Sequence, residues 1–147
     1  MVDLSEKLNK DIMKVMDDHQ KTIFLKTLLF ASKIDGEVDS GEVQYIKKMS
    51  VKYKVSDIKK IFEPISEGGL LMELKCLTRR EWALELIKEL FRLGHEDSDL
   101  GDEEVLFIGR VGRALNVEVE KIEQISNWVI DYLIWKEQGK IIFEENI

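Results

Sequence analysis

Six carboxylates in two short loops are the side chains of this sequence whose type and spacing best suit chemistry. Both loops have the spacing Asp-x-acid-x-x-x-x-Glu, and they lie in different halves of the chain. The six are Asp35, Glu37, Glu42, Asp97, Asp99 and Glu104. Hard cations prefer oxygen ligands, and calcium binds roughly six to eight of them. The pattern therefore predicts a site for a divalent cation (calcium, magnesium or zinc) or for a basic segment of a partner protein.

The spacing does not fit an EF-hand, although the first loop begins with Asp-Gly-Glu. An EF-hand loop requires glycine at its sixth position and a bidentate acid at its twelfth. Ser40 and Ile46 occupy those positions in the first loop, and Asp102 and Ile108 occupy them in the second. A cation at these loops would therefore need a different coordination geometry.

The same carboxylates have a simpler alternative role as helix caps. Asp39 and Gly101 stand where N-caps are expected, which makes Glu42 and Glu104 the third residues of their helices. A carboxylate there can accept from the cap amide and interacts favourably with the helix dipole. The other acids of the loops exceed what capping requires, and their mutual repulsion would be relieved by a cation. Capping alone and capping combined with binding both remain open.

The loops belong to a longer internal repeat. Residues 24–57 align with residues 86–119 without a gap, and the apolar positions agree as well as the acidic ones. Two positions that this alignment pairs, when it is continued to either side, are called matched positions below. A duplicated helix-loop-helix unit explains the repeat. Because each copy alone would leave an apolar face in water, the two copies should pack together and bring their acidic loops to comparable places.

Apolar periodicity predicts that the elements positioning these loops are all α-helices. The chain has one proline, no Asn-Gly turn and no alternating apolar run, so no strand is expected. We predict a single all-α domain over residues 1–147, a bundle of seven or eight helices built from two pseudo-twofold-related repeats. Repeat one covers about 20–62, repeat two covers about 82–124, and a C-terminal helix runs to about 137.

Composition excludes several classes of function. The formal charge of −7 and the pI near 5.0 argue against binding a phosphate backbone, which depends on lysine and arginine. With one cysteine and two histidines, the chain has too few residues for a nucleophilic triad or a Cys/His zinc site. We expect a soluble, cytoplasmic, non-enzymatic protein, and a metal-dependent hydrolase built on the carboxylates is a distant alternative.

The segment 31–38, Ala-Ser-Lys-Ile-Asp-Gly-Glu-Val, is followed by Glu42, and the pattern returns in residues 93–100 followed by Glu104. This repeated motif resembles the TerB family of tellurite-resistance proteins and the N-terminal domain of DjlA-type co-chaperones. The resemblance covers roughly residues 20–137. It implies a pseudo-twofold helical bundle, a metal-binding centre at the Asp-Gly-Glu loops, and a role in stress or tellurite resistance with protein partners, some at the membrane. The second loop departs from the motif, with Glu96 for a small residue and Ser98 for glycine.

Two further surfaces are candidates for protein partners or a homodimer. The C-terminal helix has the aromatic residues Trp128, Tyr132 and Trp135, which could instead pack in the core. A lysine-rich stretch is the second surface, which is either a solvated helix face or a site for an acidic partner or an anionic lipid surface. It lacks the arginines and polar base-reading residues of nucleic-acid binders. Its lysines are Lys47, Lys48, Lys52, Lys54, Lys59 and Lys60. An interaction scaffold that uses these two surfaces, with the acidic loops only capping helices, is the alternative function.

Overall fold

A computed structural model of the protein describes residues 12–34, 40–97 and 100–144, and every regular element in these ranges is helical. The predicted all-α class is confirmed for this part of the chain. None of the helices in the described ranges combines the length and apolar character that a bilayer-spanning helix needs.

The first three helices are α1 (Asp18–Ser32), α2 (Ser40–Lys52) and the short α3 (Lys59–Phe62). Apolar spacing from Leu4 to Met16 predicts an earlier helix that runs to about residue 18, but helical residues 12–14 end before Asp17. Asp17 instead caps α1: its carboxylate accepts from the Gln20 amide at 2.8 Å, and the Gln20 side chain accepts from the Asp17 amide at 2.8 Å. This capping box was visible in the sequence and sets where α1 begins.

The second half of the chain has α4 (Glu67–Glu73), a 3-10 turn (Leu74–Cys76), α5 (Arg80–Asp97), α6 (Asp102–Ala114) and α7 (Val119–Phe143). The Ser66 hydroxyl caps α4 by accepting from the Gly69 amide at 3.0 Å. Helix α7 continues past the predicted end near residue 137. Its last turns are almost entirely exposed, so tertiary packing does not determine where it stops.

Helix boundaries recur at matched positions of the two copies. Helices α1 and α5 begin at matched positions, and α2 and α6 both begin and end at matched positions. Just past the ends of α2 and α6, Lys54 and Asn116 each have φ of 58°. The next amide donates to the carbonyl five residues earlier, at 2.9 Å and 2.8 Å, which is the Schellman arrangement.

A tertiary contact recurs in the same way. Asp18, the first residue of α1, accepts from the Ser56 amide at 2.7 Å. At the matched positions of the second copy, the guanidinium of Arg80 donates to Glu118 at 2.6 Å. Both contacts fix the start of a long helix to the segment that leads into the third helix of its half.

The core lies where α1 packs on α2, α3 and α5, and where α5 packs on α6 and α7. Phe24 and Leu86 are fully buried on α1 and α5, and Ile46 and Ile108 are buried on α2 and α6. Removing such side chains from water contributes roughly 1.5–3 kcal/mol each, before the entropy cost of ordering them. This packing holds the starts of α2 and α6, and with them Glu42 and Glu104, against the ends of α1 and α5.

Candidate functional site

Two of the six predicted carboxylates, Glu42 and Glu104, line one small cavity between the helix ends. The cavity volume is about 10 Å³, close to the space of a single water molecule or small ion. The residues that line it form pairs, and the two members of each pair occupy matched positions. The pairs are Leu28 and Leu90, Ala31 and Leu93, Ser32 and Gly94, and Glu42 and Glu104.

The two sides of the cavity are built differently around one matched pair of small residues. A Cβ at Gly94 would lie 2.2 Å from Cδ1 of Leu100, so the Leu100 side chain would have to shift, whereas its distance of 3.4 Å from Oε2 of Glu104 is an ordinary contact. At the matched position, the Ser32 hydroxyl donates to the Leu29 carbonyl of its own helix at 2.6 Å. The matched residues Ser32 and Gly94 are therefore both small, but only Ser32 adds a side-chain hydrogen bond, which stays within its own helix.

The structure does not describe the side chains of the remaining four predicted ligands. Asp97 is the last residue of α5, whereas Asp35, Glu37 and Asp99 lie outside the described residues. Asp39, the predicted cap of α2, also lies outside them, and Gly101 is the N-cap of α6 without a side-chain hydrogen bond. In the described ranges, no group of three or more His, Cys, Asp or Glu side chains is arranged to hold a metal ion. The full six-carboxylate site stays a prediction.

A buried ionic cluster on α5 was not predicted from the sequence. Glu89 is only 1% exposed, and Nε of Arg92 donates to both of its carboxylate oxygens at 3.1 Å and 3.2 Å. Arg92 also donates to the Tyr45 hydroxyl at 3.0 Å, with its guanidinium 5.6 Å from the Tyr45 ring centre. Lys88 pairs with Glu85 and lies 3.8 Å from Glu89.

Burial shifts the protonation equilibria of this cluster. It raises the pKa of Glu85, with the Lys88 ammonium partly opposing the shift. It also raises the pKa of the Tyr45 hydroxyl, and the nearby Glu89 carboxylate adds to that effect. In sequence, acids and bases three and four residues apart look like an exposed helix face, which is why the cluster was missed.

The positions matched to Tyr45 and Arg92 are also in contact. Phe30 is matched to Arg92 and Phe107 is matched to Tyr45, and the two phenylalanine ring centres are 5.2 Å apart. Each contact therefore joins a residue of one half to a residue of the other half. The residue that the first half contributes to one contact is matched to the residue that the second half contributes to the other contact.

The aromatic residues of α7 are available at the surface. Trp128 and Trp135 are 48% and 53% exposed, so the alternative that they pack in the core does not apply. The Tyr132 ring is stacked on Trp128, with centres 5.7 Å apart and planes within 3°. The six lysines of the basic stretch are all exposed as well.

Cys76 and His95 do not line the cavity between Glu42 and Glu104. Cys76 is half-buried, and burial raises the pKa of its thiol to about 11, so the nucleophilic thiolate is scarce at neutral pH. His95 lies in the last turn of α5, where a basic side chain complements the helix dipole.

Comparison with known proteins adds no relative. No protein-family model matches the chain, and no curated protein or solved structure is significantly similar to it. The resemblance to TerB therefore depends on the Asp-Gly-Glu segment of the first loop and on its altered copy in the second loop.

Proposed function

We propose that this protein is a non-enzymatic, TerB-like helical module that binds a divalent cation or a basic partner segment at its acidic loops, within a stress or tellurite-resistance system. The observation that carries the proposal is the convergence of Glu42 and Glu104 on one cavity. The repeat aligns these two acids with each other, and they come from separate helices.

Duplication supports this proposal because it explains why the two acids converge. Three observations favour a pseudo-twofold arrangement of two units. Helix boundaries recur at matched positions, and the cavity is lined by matched pairs. The contact of Phe30 with Phe107 also occupies the positions matched to the contact of Arg92 with Tyr45. On such an axis, one acid in the ancestral unit becomes two facing acids. The resemblance to TerB implies a metal centre at the same loops.

The electrostatics of the cavity favour a cationic ligand. Glu42 and Glu104 are half-buried, so their charges are less screened than those of surface acids. Two like charges sharing one site disfavour each other's ionised form, and a bound cation or a partner's ammonium or guanidinium relieves that repulsion. The further carboxylates of the loops would complete the coordination shell of an ion.

Thermal unfolding with single cations tests the proposal. A site filled at about a hundredfold over its dissociation constant adds roughly 2.7 kcal/mol, equivalent to several degrees in melting temperature. We expect one ion among calcium, magnesium, manganese and zinc to give a clearly larger shift, which Glu42→Gln or Glu104→Gln abolishes. Glu103→Gln is the control, because Glu103 is the exposed neighbour of Glu104 on α6. Equal small shifts for all ions, or no effect of the substitutions, would contradict the cation proposal.

An interaction scaffold is the second candidate function, and the exposure of Trp128 and Trp135 favours it. Aromatic side chains are enriched in the centres of protein interfaces. The scaffold predicts that Trp128→Ala with Trp135→Ala abolishes self-association or partner binding measured by sedimentation, while every cation response is unchanged. A protein that stays monomeric and loses no partner on this change would not be this kind of scaffold.

A further inference from the structure

A second and larger cavity lies beside α1, with a volume of about 260 Å³. Its apolar walls are Leu29, Phe30, Ile34, Ile61, Pro64 and Ile65. Lys26, Lys33 and Glu63 add the charged groups. The helical period puts its α1 residues on the opposite side of that helix from Leu28, Ala31 and Ser32, which line the acidic cavity. The two cavities are therefore separate sites.

Lys26 is the unusual member of this lining, because its side chain is buried without a counterion among the described residues. The residue is 8% exposed, and Nζ donates to the Lys60 carbonyl at 2.7 Å. That carbonyl belongs to α3, a helix so short that its carbonyls lack partners within the helix. An ammonium has three donors, and no carboxylate in the described ranges pairs with this one.

The matched lysine shows what Lys26 lacks. Lys88 is the counterpart of Lys26 in the second copy and is 7% exposed, and its ammonium pairs with Glu85 and Glu89. At the positions of those two carboxylates, the first half of the chain has Ile23 and Thr27. A buried charge without a partner is costly, so an anion that reaches Lys26 through the cavity would gain an interaction that Lys88 already has.

We propose that this cavity binds a small aliphatic monocarboxylate. The carboxylate head pairs with the ammonium of Lys26, and Lys33 is a second, exposed cation nearby. The tail contacts the apolar walls. A head with one charge and an apolar tail fits better than phosphate, because the cavity has a single buried cation and the carboxylate of Glu63 also lines it. This inference is independent of the function proposed for the acidic loops.

Calorimetric titration with ligands of one chain length tests the recognition of the head group. We expect sodium octanoate to bind at least tenfold more tightly than 1-octanol, and octylammonium not to bind. Acetate measures the head without the tail and should bind at least tenfold more weakly than octanoate. Equal affinity for octanoate and 1-octanol would mean apolar filling alone and would overturn the proposal, as would no octanoate binding at all.

Three substitutions locate the site. Lys26→Met should lower octanoate affinity at least tenfold, whereas Lys88→Met, the matched control, should leave it unchanged. Glu63→Gln should raise the affinity, because it removes an opposing charge. Each variant is measured below its own melting transition. Ile65→Trp, which fills the cavity and leaves Lys26 intact, should also abolish binding. Unchanged affinity in Lys26→Met or in Ile65→Trp would place the ligand elsewhere and overturn the assignment.

Discussion

Two contacts at matched positions in the halves of this chain are built from opposite chemistry. Phe30 meets Phe107 through apolar rings, whereas Arg92 meets Tyr45 within an ionic cluster that includes the buried Glu89. The apolar contact is stabilised by area removed from water and depends little on any single polar partner. The ionic contact must offset the desolvation of each charge, so every member needs its partner. The two contacts should therefore respond very differently to substitution.

Removing one member of the ionic contact should give the largest effect. Arg92→Met leaves Glu89 buried with the Tyr45 hydroxyl at 3.5 Å and the more distant Lys88 as its nearest cation, so we expect the free energy of unfolding to fall by about 3–5 kcal/mol in urea titrations. Arg110→Met is the control, because it removes an exposed Arg–Glu pair with Glu67 and should change the free energy of unfolding far less. Similar small losses for both variants would mean that burial does not distinguish the pairs.

Replacing the whole ionic contact by its apolar counterpart should reverse the sign. Tyr45→Phe, Glu89→Thr and Arg92→Phe together reproduce the residues found at the matched positions. Well-packed apolar replacements of buried ion pairs are often neutral or stabilising, so we expect an increase of about 1–4 kcal/mol in the free energy of unfolding. A triple variant as unstable as Arg92→Met would show that the two contacts are not interchangeable.

The pH dependence of stability should separate the two contacts further. Burial raises the pKa of Glu85 in the folded protein above its ordinary value of 4.5. A raised carboxyl pKa stabilises the fold below that ordinary value, and the contribution is lost as pH rises through the folded pKa, at about 1.4 kcal/mol per pH unit at most. The stability of Glu85→Gln, measured from pH 4 upward, should lack this decline. Parallel curves for the two proteins would contradict the shift.

The smallest effects are expected at the acidic cavity. Without added metal, Glu42→Gln should stabilise the protein slightly by relieving repulsion, whereas a plain helix cap would weaken by about 0.3–1 kcal/mol. Glu104→Gln should show a smaller gain or none, because the second loop departs from the Asp-Gly-Glu motif. Differential scanning calorimetry in chelator resolves the sign. Destabilisation at both positions, with no change in any metal response, would favour the scaffold.

The features that could be predicted from the sequence are those whose causes lie within a single helix or within the repeat. Apolar spacing predicts the helices because each helix buries one stripe, and the repeat brought Glu42 and Glu104 into correspondence before any coordinates. The extension of α7 was missed because its exposed final turns contact little of the core. The burial of Glu89 was missed because it depends on Tyr45, which approaches from another helix.

The burial of Lys26 without a carboxylate partner in the described ranges could not be predicted, for a related reason. Its burial depends on α3 packing against α1, and the sequence shows only a lysine on a helix with apolar neighbours. The cavity beside it has walls from α1 and from the segment that follows α3. The residue spacing within one helix cannot predict a cavity whose walls come from two separate segments.

The packing of α1 with α2 and α3, and of α5 with α6 and α7, has a consequence for the order of folding. Each set joins helices that are neighbours along the chain, so its contacts close short loops, whereas the contact of Phe30 with Phe107 closes a long one. Short loop closures favour fast folding. We expect the two sets to form early and to dock afterwards, so that Phe107→Ala accelerates unfolding more than it slows folding.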